Sequence, residues 1–148
     1  MSALIEALVS RHGLALVDRR SIEAFLAPAA GEPAHALLFF TGDPAVRGET
    51  ADVAVVLPQL LAAFHGRLRA AVVARDAEDA LKRRFHVAVV PSLVVVRGAE
   101  TVGVLPRIRD WSDYVARIAA WLDPQAPALA PSKGPRTEFS YSGQGGGA

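Results

Sequence analysis

Three acids, Asp43, Glu49 and Asp52, crowd one polar stretch, GDPAVRGETAD, between two apolar runs. Carboxylates bind arginine through short, charge-assisted and often bidentate hydrogen bonds. That is the chemistry this cluster offers, with loop solvation and helix capping as the plain alternative. Hydrolysis would need a hydroxyl with a base in reach. Neither Ser92 nor Thr41 has a histidine or lysine placed beside it by any recognisable motif. The chain has no cysteine, which excludes disulfides, thiolate metal sites and thiol catalysis. His12, His35, His65 and His86 are scattered, and none has an i+4 partner. No catalytic residue, metal site or cofactor is expected.

The composition agrees. With 148 residues, of which 51% are hydrophobic, the chain is long enough for one domain with a sizeable core. No apolar run approaches the roughly 18 residues of a membrane span. A net charge of +1 makes no case for nucleic acid. MSALIEALVSRHG carries charges within its apolar stretch and does not read as a secretory signal. Nor does a long apolar segment follow Arg19-Arg20. A cytoplasmic protein without membrane insertion is the expectation.

The elements that must position these residues follow from periodicity. Leu4, Ile5, Leu8 and Val9 mark one face of a helix over 3–11, ended by Gly13. Residues 14–17 make a short strand, and Ser21 is placed to cap a helix over 22–27. His35–Thr41 is a continuous apolar strand, expected at the centre of a sheet. A helix over about 51–65 contains Pro58, and residues 68–74 form another buried strand. Asp76 is placed to cap a helix over 77–85. In that helix Glu78–Lys82 and Asp79–Arg83 have the spacing of exposed ion pairs, a solvated face.

Val90-Pro91 precedes a strand over 92–97, where the run Leu93–Val96 is β-branched enough to be covered on both faces. A turn at Gly98-Ala99-Glu100 leads into a strand over 101–105. Asp110 caps a last helix, 111–122. Its stripe of Trp111, Tyr114, Val115, Ile118, Trp121 and Leu122 is expected to face the core. From Pro124 on, prolines and glycines without apolar periodicity predict a disordered tail. The expected organisation is a packed N-terminal helix (1–13), a domain over 14–123 and a tail over 124–148.

Parallel strands joined by helices, then a hairpin and a helix, resemble the thioredoxin fold over about residues 14–122. Val90-Pro91-Ser92, Pro58, the Gly98 turn and the last helix carry the likeness. The fold class expected is therefore α/β, thioredoxin-like, with a central mixed five-stranded sheet and helices on both faces. The resemblance also implies that the Val90–Pro91 bond is cis and shapes a groove. In redox-active members a Cys-x-x-Cys opens the kinked helix; here those positions are Thr50-Ala51-Asp52-Val53. The central strand likewise offers no buried acid, since it reads Leu37-Leu38-Phe39-Phe40.

Within this group the chain resembles the hydrogenase-expression accessory family of the HyaE/HupG type. The features are a first helix ending in Arg-x-Gly, Asp43-Pro44 after the central strand, Phe85-x-Val87 before the proline, and Trp111 opening the last helix. The resemblance implies a non-enzymatic chaperone in nickel–iron hydrogenase maturation. It would bind the small-subunit precursor, with its twin-arginine signal peptide, before export. Other hydrogenase accessory proteins are further candidate partners. Val90, Pro91 and Ser92 would offer backbone edges to an extended peptide, with Asp43, Glu49 and Asp52 on the opposite wall. The alternative is a redox-inactive interaction module with another partner. Neighbouring hydrogenase genes would favour the first.

Overall fold

The computed structural model describes residues 2–43, 45 and 48–130. Its elements, in chain order, are α1 (Ala3–Ser10), β1 (Ala15–Val17), α2 (Ile22–Leu26), β2 (His35–Phe40) and α3 (Glu49–Ala63). Then come β3 (Arg69–Val73), α4 (Glu78–Leu81), β4 (Ser92–Arg97), β5 (Glu100–Pro106) and α5 (Trp111–Trp121). The strands form one sheet in the order β1-β3-β2-β4-β5, so the apolar run of β2 is central. β1 and β2 lie parallel to β3, while β4 is antiparallel to both β2 and β5. This is the thioredoxin-like architecture.

Alternation along the strands divides the core into two layers. Leu37 and Phe39 of β2, with Leu93 and Val95 of β4, meet α1, α3 and α5. Leu38 and Phe40, with Val94 and Val96, face α2, α4 and Phe85 on the other side. A strand buried on both faces must be apolar at every position, which is why β2 and β4 show no polar alternation. Full burial of one such side chain stabilises the fold by about 1.5–3 kcal/mol. At Gly103 of β5 the fit is especially close. A Cβ there would lie 2.2 Å from the Trp121 ring, so only glycine admits that indole.

Several local expectations are corrected. The helix expected over 77–85 is a 3₁₀ turn (Arg75–Ala77) running into the short α4, and Asp76 lies inside that turn instead of capping. A Schellman ending follows, with Val87 N–H donating to Lys82 O, His86 N–H donating to Arg83 O, and His86 left-handed at φ 62°. The expected pairs Glu78–Lys82 and Asp79–Arg83 are replaced by Asp79–Lys82 at 3.2 Å, because Glu78 is buried. Ser21 makes no capping bond; Asp18 Oδ1 accepts from the Arg20 and Ser21 N–H groups instead. Asp110 opens α5 through its extended backbone, not its side chain. Leu4 is exposed, although Ile5 and Leu8 are buried.

The aromatic stripe of α5 is split in the same way. Tyr114, Ile118 and Leu122 are buried, Trp121 is half-buried, but Trp111 is 45% exposed. Of the expected tail, residues 124–130 run along the β4–β5 hairpin, with Leu129 N–H donating to Thr101 O at 2.7 Å. The part of the tail from residue 131 onward lies outside the described residues. No helix among the described residues is long and apolar enough to cross a membrane.

Candidate functional site

Antiparallel register sets Phe40 at the end of β2, Ser92 at the start of β4 and Pro106 at the end of β5 side by side. The sequence-predicted site residues gather at this end of the sheet. The Val90–Pro91 bond is cis. Pro91 and Ser92 are buried, and the Ser92 hydroxyl donates to Val89 O at 2.7 Å. Pro91 O accepts the Arg107 N–H at 2.8 Å. Val90 differs from its neighbours. It is half-buried, and no hydrogen bond among the described residues engages its N–H or its C=O. Beside it Val89 is 41% exposed.

The loop after β5 forms the adjoining wall, and its conformation is over-determined. Arg107 adopts φ 61°, a left-handed conformation that is uncommon outside glycine, asparagine and aspartate. Besides Pro91 O, two side chains hold it. Glu49, in the first turn of α3, accepts Ile108 N–H at 2.9 Å and pairs with the Arg107 guanidinium at 3.1 Å. Tyr114 of α5 donates its hydroxyl to Arg107 O and accepts Arg109 N–H, both at 3.2 Å. Burial pushes the Tyr114 pKa up, so the phenol stays protonated for this task. Arg109 is in turn paired with Asp113, and its guanidinium is the leading cause that lowers the Asp113 pKa.

The three acids expected on one wall are not equivalent. Glu49 is committed to the loop just described. Asp43 accepts Ala45 N–H at 3.0 Å and lies 3.8 Å from the Arg75 guanidinium. Asp52 is exposed on α3, and no ion pair reaches it among the described residues. Thr50 is buried, its hydroxyl donating to Thr41 O, and Val53 is fully buried. The two positions that the thioredoxin resemblance equates with a redox pair thus hold a hydrogen-bonded hydroxyl and a packed valine.

One residue at this end escaped the sequence reading. Glu78 is 7% exposed, and its Oε2 accepts Thr41 N–H at 2.8 Å and Gly42 N–H at 3.0 Å. The Thr41 hydroxyl, between this oxygen and Gly42 O, can donate to only one at a time. A buried acid therefore does finish the central strand, supplied by α4 rather than by β2. Its only sequence signal is an acid at the start of a helix that follows a neighbouring strand, a position shared with many exposed acids.

Among the described residues no group of three or more histidines, aspartates and glutamates is arranged to hold a metal ion. What this end does provide is a backbone donor and acceptor at Val90 that no described residue engages, beside a loop held by Glu49 and Tyr114. The family of the hydrogenase-1 expression protein HyaE matches residues 4–114. The chain belongs to the HyaE family.

Its relatives cover about three quarters of the chain or more in the three cases that follow. The hydrogenase expression/formation protein HupG of Rhizobium leguminosarum bv. viciae is 59% identical over 143 residues, 97% of this chain and 96% of that one. HupG of Bradyrhizobium diazoefficiens is 50% identical over 115 residues, 78% of each chain. A crystal structure of a hydrogenase expression/formation protein HupG from Rhodopseudomonas palustris superposes with a TM-score of 0.52 at 50% identity. It covers 73% of this chain and 94% of its own. In this HyaE-family chain the match ends at Tyr114, so it contains both walls described above and the Glu78 anchor.

Proposed function

We propose that this HyaE-family protein is a non-catalytic, cytoplasmic chaperone of nickel–iron hydrogenase maturation. It holds the small-subunit precursor, including its twin-arginine signal peptide, before export. Family membership supports the hydrogenase role, and the names of the relatives point the same way. The observation that carries the binding mode is the unengaged N–H and C=O of Val90. An extended client segment pairs with these two groups as an added strand, the mode in which main-chain bonds give affinity and side-chain contacts give specificity. Val89 and Trp111 offer exposed apolar surface to the client. Pro91 and Ser92 hold the loop from below. Of the acids, Asp52 is the one left for a client cation, while Asp43 and Glu49 shape the wall on which it stands.

Titrating purified precursor, with and without its signal peptide, into this protein tests the reading. Binding that weakens when the signal peptide is removed is the expected result. Equal affinity for both forms moves the contact to the mature subunit. No affinity for either, with folded protein, rejects the client and leaves an interaction module with a different partner.

A further inference from the structure

β5 is an edge strand. Exposed edges present unpaired N–H and C=O groups, and proteins guard them with charges, bulges, proline or a covering segment. Charge does little here: Glu100 is the only ionisable residue of β5, and Arg97 neutralises it at 3.1 Å. A register shift opposite Val95/Val96 makes a bulge, and Pro106 ends the strand without an N–H. Among the described residues the rest of the guarding falls to residues 124–130. Arg97 donates to Pro124 O at 3.3 Å and to Ala126 O at 2.7 Å, while Ala126 packs on the α5 side of the core. Leu129 N–H then bonds Thr101 O on the outer edge. Beyond it, Ala128–Ala130 line a groove with Arg83, Arg84 and His86 from the α4 side. The segment thus wraps around the edge from one face of the sheet to the other.

We propose that the outer edge of β5 is a strand-addition surface for a second copy of this chain, held closed by residues 124–130. Two β5 edges related by a two-fold axis meet antiparallel, so the surface is complementary to itself. Because Glu100 is neutralised, the copies meet without like-charge repulsion. The strap lies over the start of β5, the end away from Pro106, where the backbone can still donate.

The test uses the full chain. Leu129→Pro removes the one N–H that the strap gives to Thr101, at an exposed position outside the core. Leu129→Ala keeps that N–H and is the control, and Arg97→Gln combined with Glu100→Gln loosens the strap independently at its two carbonyls without leaving an unpaired charge on the edge. Sedimentation velocity over a concentration series is expected to show wild type and Leu129→Ala as monomers. Leu129→Pro and the Arg97→Gln/Glu100→Gln double variant should dimerise about a hundredfold more tightly, the scale of one hydrogen bond in each of the two copies. Adding Thr101→Pro to Leu129→Pro should abolish the dimer. Dimerisation of Leu129→Pro no tighter than that of wild type overturns the proposal. So does a dimer that survives Thr101→Pro.

Discussion

The carboxylate of Glu49, at the start of α3, accepts the backbone N–H of Ile108 at 2.9 Å, joining segments far apart in sequence. The same side chain reaches the Arg107 guanidinium, and Arg107 N–H bonds Pro91 O. Helix, β5–α5 loop and Pro91 loop are therefore one bonded unit. Glu49 works here as a structural acceptor.

Replacing Glu49 with alanine should destabilise the protein by about 1–2 kcal/mol, since a half-buried amide and a guanidinium lose a charged acceptor. Glu49→Gln keeps an oxygen for Ile108 and should lose about half as much. Urea denaturation of the three proteins checks this. Equal stability of all three would show that water replaces the carboxylate at no cost.

Glu78→Ala should be more damaging. It leaves the Thr41 and Gly42 N–H groups without their acceptor at a buried position. An unsatisfied buried donor costs about 1–3 kcal/mol each, so a loss of about 3 kcal/mol is expected. Glu78→Gln retains one acceptor oxygen and should fall between alanine and wild type. Stability of the alanine variant within about 0.5 kcal/mol of wild type would sink the assignment of Glu78 as the anchor of the strand end.

Sequence legibility tracks how local each cause is. β2 and β4 were readable because burial on both faces forces an uninterrupted apolar run. The Val90-Pro91-Ser92 turn and Pro58 were readable because proline restricts the backbone wherever it stands. Glu78 was misread because an exposed acid in a first helical turn and a buried one look alike. Only the approach of Thr41 and Gly42, set by sheet order, distinguishes them. Trp111 was misread because it shares the helical period of Tyr114 and Ile118 yet stands exposed as the first residue of α5. The docking of residues 124–130 was invisible for a similar reason. It rests on backbone carbonyls and one N–H, which no side-chain pattern reports.

Stability should also fall on mild acidification. His35 is buried, and its pKa is lowered chiefly by desolvation, then by the positive charge of Arg97; a hydrogen bond with the Trp121 backbone opposes this, and Arg67 adds to it. The unfolded chain takes up this proton near the ordinary histidine value of 6.5, the folded chain only at lower pH. Between those values the unfolded state binds more protons, so stability declines as pH falls and levels off below the folded pKa. The lowered carboxylates Asp18, Glu23 and Asp113 act only further into acid. Denaturation at about pH 7.5 and about pH 5 should show the loss in wild type and a smaller one in His35→Gln. An identical loss in both would exclude His35 as the titrating group.

In the proposed complex the client contact divides into an apolar and a cationic part, and two exposed residues separate them. Trp111 opens α5 just after the loop that Glu49 and Tyr114 hold, and its indole is exposed although a large apolar ring gains by burial. Aromatic residues of this kind dominate binding energy at interfaces, with truncation costing about 2 kcal/mol or more. Trp111→Ala should therefore leave the melting temperature unchanged and weaken precursor binding about thirtyfold, equally with and without the signal peptide. Asp52→Ala should act differently. It removes an exposed charge, so it should weaken only the form that carries the arginine pair, by a few-fold, and flatten the salt dependence of binding. Calorimetric titration of both precursor forms into both variants, at low and high salt, distinguishes the two contributions. If Trp111→Ala binds as wild type does, the apolar contact lies elsewhere. If Asp52→Ala weakens both precursor forms alike, the acid meets the mature subunit and not the signal peptide.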